Sequence, residues 1–202
     1  MSTTPSQGSP SGSPRHPATP FKTIGLIGRL GSDKVVDSLQ RLVRYLTEHD
    51  YKVLIEDRTA TALSHHGVPE ASRRMLGELC DLVIVVGGDG SLLGAARTLC
   101  RSGTLILGVN RGRLGFLTDI SPDELENRVG EVLAGAFEVE EGFLLDAVLY
   151  RNGVAVGNGD ALNEVVVHPG KAVRMIEFEL FIDGQFVYSQ RSDGLIVATP
   201  TG

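Results

Sequence analysis

The run Gly87-Gly88-Asp89-Gly90-Ser91 is the sharpest chemical signal in the chain. It stands directly after the apolar stretch Asp81–Val86, which reads as a strand, and directly before a stretch that reads as a helix. Glycines at such a junction let backbone approach a ligand closely and accept positive φ. The start of a helix adds free N–H groups and a partial positive charge, so the junction is an anion site. It is not a Walker loop, because no Lys-Ser/Thr pair follows at the required spacing. Nor is it GxGxxG; Gly25-x-x-Gly28-x-x-Gly31 comes nearest to that and has a different spacing. Asp89 is the informative oddity, since a site built only to hold phosphate would not carry a like charge at its centre. It either caps the following helix or stabilises a turn, or it serves phosphoryl transfer as a base or metal partner. A sugar hydroxyl holds its proton about eight powers of ten more tightly than a carboxylate, ~11 kcal/mol. Asp89 therefore cannot ionise a hydroxyl beforehand, but it can orient one and accept its proton as the bond to phosphorus forms, which is all a loose transition state asks.

Three further clusters carry polar chemistry. Asn110-Arg111-Gly112-Arg113-Leu114-Gly115-Phe116 puts two arginines in a glycine-punctuated loop, either to clamp phosphates or as a solvated turn. Asn163-Glu164 adjoins the apolar run Val165–Val167, where a glutamate is costly unless it is paired, at the strand mouth or on a solvent-facing edge. Arg191 and Asp193 are two apart on an expected strand and would share a face, as a ligand contact or a structural ion pair.

The elements that must position these residues alternate. Thr23–Gly28 reads as a buried strand. A helix follows, with Val35, Val36, Leu39, Leu42, Val43 and Leu46 on one stripe, capped by Ser32 or Asp33. Tyr51–Glu56 reads as a strand, Pro69–Leu79 as a helix, Asp81–Val86 as a strand without polar alternation, Ser91–Cys100 as a helix and Thr104–Val109 as a strand. This order implies a doubly wound parallel α/β sheet whose ligands bind at the carboxyl ends of its strands. After a helix at Pro122–Gly135 the pattern becomes strands alone: Leu144–Tyr150, Val154–Val156, Leu162–Val167, Met175–Ile182, Phe186–Ser189 and Asp193–Thr199. Asn152-Gly153 and Asp183-Gly184 are hairpin turns. The expected organisation is a disordered Ser/Pro-rich tail over 1–21, an α/β domain over 22–136, and an antiparallel all-β domain from 137 to 202 that stops on a half-made loop.

Composition narrows the partners. A net charge of −6 over 202 residues argues against a nucleic-acid binder, which needs a basic stripe. No apolar run approaches the roughly 18 residues that span a bilayer, and the tail lacks a signal-peptide core. A cytoplasmic protein is expected, with Cys80 and Cys100 reduced.

Taken together and in this order, Gly87–Gly90, Asn110–Leu117, Asn163-Glu164 and Asp193–Gly202 resemble the motifs of NAD kinases, and the similarity extends from about Ile24 to the last residue. GGDG alone is shared with diacylglycerol and sphingosine kinases and, more loosely, with phosphofructokinases; the four-part combination is specific. The resemblance implies ATP-dependent phosphorylation of the 2′-hydroxyl of NAD's adenosine ribose to give NADP. It implies Asp89 as proton acceptor, with Asp89, Gly90, Asn163, Glu164, Arg174, Arg191 and Asp193 lining the NAD site, and Gly28-Arg29 near the donor phosphates. It also implies a divalent metal, usually Mg²⁺, bridging those phosphates, and a dimer or tetramer. Ser91 stands where many relatives carry Thr. Relatives continue past Pro200-Thr201-Gly202, so the resemblance implies a β domain truncated here. A lipid-directed GGDG kinase and a catalytically silent dinucleotide-binding fragment are the competing readings.

Overall fold

The computed structural model describes residues 21–29, 31–63, 65–111, 120–171 and 174–202. Residues 1–20 of the expected disordered tail and the glycine-punctuated part of the Asn110–Leu117 loop, residues 112–117, lie outside them; Phe21, expected to close the tail, is buried in the core instead.

Five parallel strands form the central sheet: β1 (Thr23–Gly28), β2 (Lys52–Glu56), β3 (Glu70–Ala71), β4 (Leu82–Gly87) and β5 (Leu105–Asn110), in the order β3-β2-β1-β4-β5. The helices between them are α1 (Asp33–Glu48), the single turn α2 (Asp57–Ala60), α3 (Arg73–Leu79) and α4 (Asp89–Leu99), with a 3₁₀ turn at Pro122–Glu124 leading into α5 (Leu125–Leu133). Alternate strand residues feed two separate cores. Leu26, Leu82, Ile84 and Val86 pack with Leu39, Leu42 and Leu46 of α1 and with Leu125 and Val129 of α5. Ile27, Val83 and Val85 pack instead with Leu76 of α3 and with Ala95 and Leu99 of α4. Helices thus cover both faces, which is why Leu82–Gly87 carries no polar alternation. The doubly wound reading is borne out.

Sequence direction reverses across this sheet between β1 and β4. The chain steps from β1 outward to β2 and β3, then returns to β4 and steps outward to β5. The crevice outside the carboxyl ends of β1 and β4 is therefore the topological switch point, where ligands of open α/β sheets bind.

The rest of the described chain is antiparallel. β6 (Leu145–Arg151) pairs with β7 (Val154–Ala161), β9 (Ile176–Ile182) with β10 (Gln185–Ser192), and β8 (Glu164–Val167) with β11 (Leu195–Ala198). Both expected hairpin turns form with positive φ at each central residue: Asn152 at 50° and Gly153 at 77°, Asp183 at 52° and Gly184 at 75°. That is the type I′ requirement met by Asn-Gly and Asp-Gly. The sequence alternation sets Ile176, Phe178, Leu180 and Ile182 on one face of β9 with Glu177, Glu179 and Asp183 opposite; Ile176, Phe178 and Leu180 are half-buried and Glu177 and Glu179 exposed, but Ile182, at the strand end, is exposed too. Among the described residues beyond 137, Thr199 alone is buried, and Leu149, Tyr150, Phe181, Phe186 and Ile196 are each more than half exposed.

Several expected boundaries move. The helix expected from Pro69 begins at Arg73, because Ser72 caps it (its hydroxyl accepts from the Met75 N–H at 3.3 Å), and Glu70–Ala71 instead add a strand against Ile55 and Glu56. Strand β7 runs on to Ala161 through Gly157 and Gly159. Strand β11 is confined to Leu195–Ala198, so Asp193 precedes it.

Side-chain ion pairs fasten the α1 layer. Arg41 reaches across to α5, where its Nε donates to Glu126 at 2.8 Å, its Nη2 meets the second carboxylate oxygen, and its Nη1 donates to the Pro122 carbonyl at 3.2 Å. The paired guanidinium holds the Glu126 carboxyl below the usual carboxylate range. A depressed carboxylate stabilises the fold above its unfolded pKa and loses that contribution as pH falls through the folded one. Glu126→Gln is therefore expected to lower the Tm at pH 7 by ~1–3 °C. The gap to the parent should close as pH drops below the ordinary glutamate value of ~4.3, in melts followed by circular dichroism. A gap independent of pH would remove the charge from the explanation.

The cysteines are both free thiols. Burial, reinforced by the neighbouring Asp81 carboxylate, pushes the Cys80 thiol up to about 11. Only the thiolate attacks electrophiles, so at pH 8 about one Cys80 in a thousand is reactive. In the folded protein iodoacetamide should label half-buried Cys100 more than ~10-fold faster than Cys80, read by peptide mass spectrometry.

Candidate functional site

At the switch point three strand ends are stitched together through backbone. Gly87 pairs with Asn110, and the Arg111 N–H donates to the Gly87 carbonyl at 2.9 Å. From the other side the Arg29 N–H donates to the Val86 carbonyl at 3.0 Å. Gly87 is obligatory for packing, since a Cβ there would stand 2.4 Å from the Ser91 hydroxyl and 3.5 Å from the Arg29 Cβ. Gly88 is the N-cap of α4 in extended backbone (φ −110°, ψ −175°), and its carbonyl accepts from the Ser91 N–H at 2.8 Å. Asp89 and Gly90 are the first and second helical residues.

This placement bears on Asp89 directly. The capping position belongs to Gly88, so Asp89 is not the N-cap; its half-buried side chain rides on the first turn of α4. Chain neighbours and the backbone of α4 itself aside, no described atom lies within 4 Å of a Cβ built at Gly88 or Gly90. Among the described residues, the backbone on either side of Asp89 is thus uncovered at the mouth of the sheet.

Arg111 departs from one of its two readings. Its Nε donates to the buried Ser38 hydroxyl, and its Nη2 meets Asp37 at 3.0 Å, both on α1. It braces the end of β5 against α1, and its side chain, 11% exposed, is not the solvated one of the alternative reading. Arg113 lies outside the described residues. Arg29, in contrast, is exposed beside Gly87.

A second group forms around Thr199. Its N–H donates to the Asn163 carbonyl at 2.8 Å and its hydroxyl contacts the Leu162 carbonyl. The Thr201 hydroxyl reaches the Asn163 side-chain oxygen at 3.2 Å. The loop Thr199–Gly202 is therefore folded onto Asn163, with exposed Glu164 opposite Ala198 in the strand pair. Arg174 is exposed just before β9, and Arg191 is exposed on β10 opposite Glu177. Arg191 and Asp193 do not share a strand face as expected. β10 ends at Ser192, whose hydroxyl donates to the Gly194 carbonyl at 2.8 Å and turns the chain at Asp193. Away from both groups, Arg101, in the turn before β5, pairs with Asp160 of β7 at 3.4 Å.

Sequence reading missed a polar network on the same mouth: Glu56 at the end of β2, Thr59 on α2 and Arg73 on α3. A glutamate closing an apolar strand was the available signal. Among the described residues no three His, Cys, Asp or Glu side chains cluster to hold a metal. A cavity of about 450 Å³ opens at the opposite, amino end of the strands, lined by Glu78, Asp81 and Glu141. Its carboxylates repel phosphate, so despite its size it does not compete with the switch point for an anionic ligand.

Known proteins agree with this geometry. The description "ATP-NAD kinase N-terminal domain" matches residues 24–137, and "ATP-NAD kinase C-terminal domain" matches residues 162–202. The NAD kinase of Chromohalobacter salexigens is 70% identical over 183 residues, 91% of this chain and 62% of its own length. That of Marinobacter nauticus is 64% identical over 182 residues, 90% of this chain and 62% of its own. The chain thus spans about 62% of the length of these relatives. Among solved structures, an NAD kinase from Archaeoglobus fulgidus in complex with ATP superposes with a TM-score of 0.63 at 28% identity, covering 87% of this chain and 60% of that one. Yeast NADH kinase complexed with NADH superposes at 0.82 with 19% identity, covering 92% and 59%, which speaks for the fold. A doubly wound sheet with GGDG at its switch point, followed by antiparallel strands ending in a TPTG loop folded onto Asn163, places this chain in the ATP-NAD kinase family.

Proposed function

We propose that this chain carries the phosphoryl-transfer centre of an NAD kinase, a phosphotransferase that passes the γ-phosphoryl group of ATP to the 2′-hydroxyl of NAD's adenosine ribose and yields NADP. The observation that carries the reading is Asp89, a half-buried carboxylate on the first turn of α4 at the switch point, flanked by glycines with open space beside them. In that role Asp89 orients the ribose hydroxyl and takes its proton as the oxygen attacks phosphorus. The Gly90 backbone lets the ribose approach the helix N-terminus. Asn163 and Glu164 hold the ribose that receives the phosphate, and Arg174, Arg191 and Asp193 line the remainder of the dinucleotide site. Arg29, exposed beside Gly87, faces the donor phosphates.

The proposed reading takes a divalent cation that arrives with ATP, with Asp89 the carboxylate at the switch point. Mg²⁺, when bound with ATP, would supply positive charge that offsets the charge of the donor phosphates. The functional division falls near residue 137, with the α/β part over 22–136 and the β part after it. The active form is a homodimer or homotetramer in the cytoplasm. No described helix is long and apolar enough to cross a membrane.

The test is a radiolabel transfer assay with ATP and, in parallel, NAD, a sphingoid base and diacylglycerol. Label on NAD alone is expected. Transfer to a lipid would replace the reading with a lipid kinase. NAD binding by calorimetry without transfer would leave a silent dinucleotide-binding unit.

A further inference from the structure

Beside the switch point lies a chain of hydrogen bonds that the phosphoryl-transfer reading does not use. The Gly28 N–H donates to the Thr59 hydroxyl oxygen at 3.0 Å. The Thr59 hydroxyl donates in turn to Glu56 Oε2 at 2.6 Å. The other carboxylate oxygen, Oε1, takes Arg73 Nε at 2.8 Å and Nη2 at 2.6 Å. Arg73 Nη1 then donates to the Gly94 carbonyl in α4 at 3.1 Å. Glu56 is 3% exposed and Thr59 1%. Replacing such a buried ion pair by apolar residues of the same volume is often neutral or stabilising, so stability alone does not account for it.

The direction of the chain is its content. A carboxylate only accepts, so Glu56 claims Thr59's one hydroxyl hydrogen and leaves an oxygen lone pair for Gly28. The alternative, Thr59 donating to the Gly28 carbonyl, is longer at 3.4 Å. With the Gly28 amide held this way and the Arg29 amide on Val86, both peptide groups of the turn after β1 are fixed, and so is the direction in which Arg29 leaves the sheet. The far end of the chain grips α4, the helix that starts at Asp89.

We propose that Glu56, Thr59 and Arg73 are positioning residues, a relay that sets the Gly28–Arg29 turn for the donor phosphates and ties it to the helix bearing Asp89. The inference rests on the NAD kinase reading and assigns the relay to ATP rather than to NAD.

The test compares Thr59→Val, Thr59→Ser and Arg73→Met with the parent chain, measuring Mg-ATP and NAD binding by calorimetry, kcat and KM for each substrate, and Tm. Thr59→Val should raise the Kd and KM for ATP about tenfold, with NAD affinity and kcat within about threefold of the parent. Thr59→Ser, which keeps the hydroxyl, should restore ATP affinity to within about threefold. Arg73→Met keeps the stem at a half-exposed position and should reproduce the selective loss, which covers failure of the valine variant to fold. Equal losses for ATP and NAD, a lower Tm with unchanged affinities, or a serine variant no better than valine would each overturn the relay while leaving the kinase reading in place. A parent chain that neither binds ATP nor phosphorylates NAD would overturn both.

Discussion

Changing Asp89 to Asn is expected to cut turnover about 10³-fold while NAD affinity stays within about threefold, measured by ATP-dependent NADP formation and by calorimetry. The amide has the carboxylate's shape and can still orient a ribose hydroxyl, but it cannot accept the proton that leaves as the bond to phosphorus forms. Proton transfer by a positioned base is worth roughly 10² to 10⁴ in rate, so the loss should fall on kcat and not on binding. The structure sharpens this expectation. Gly88, and not Asp89, occupies the N-cap, so the exchange removes no capping residue. The helix-dipole contribution that disappears with the charge amounts to only ~0.3–1 kcal/mol of stability. Equal losses in affinity and turnover would mean that Asp89 holds the substrate instead of taking its proton.

Legibility in the sequence followed the range of the interactions. Asp81–Val86 is buried on both faces, and that burial is written as an uninterrupted apolar run, so the strand and the doubly wound class could be read directly. The hairpins were equally legible because Asn152-Gly153 and Asp183-Gly184 settle their turns within two residues. The GGDG junction announced itself for the same reason: its meaning lies in glycine's missing side chain and in the strand and helix beside it. What could not be read depended on distant partners. Arg111 is 73 residues from Ser38, and nothing local distinguishes an arginine bracing α1 from one awaiting a phosphate. The short strand Glu70–Ala71 exists through pairing with β2, and the propensity of Pro69 and the residues after it could not foretell that. The Glu56–Arg73 pair is 17 residues apart across β2 and α3, so only the oddity of a glutamate closing an apolar strand hinted at it. Asn163 was recognised as a motif residue, whereas the reason for its position, a loop ending in Thr199 and Thr201 more than thirty residues on, required the fold.

Gly90→Ala is expected to weaken NAD binding by about 100-fold or more while leaving the Tm unchanged or higher, a combination no ordinary destabilising mutation gives. Gly90 is exposed at the second helical position, carries no positive φ, and has no described atom within 4 Å of an added Cβ. Alanine is the better helix former, by up to ~1 kcal/mol in a helix interior and less in the first turn, so the fold gains or stays level. On the NAD kinase proposal, the methyl group would instead stand where the ribose approaches the α4 N-terminus. Gly87, three residues earlier, is the contrast. There a Cβ would press to 2.4 Å on the Ser91 hydroxyl, so Gly87→Ala should lower the Tm as well as activity. Gly87 is demanded by the protein's own packing, whereas Gly90, on the proposed reading, is demanded by its ligand. Thermal melts run beside calorimetry separate the two demands, and a Gly90→Ala chain that binds NAD as tightly as the parent would show that the substrate does not approach along the first turn of α4.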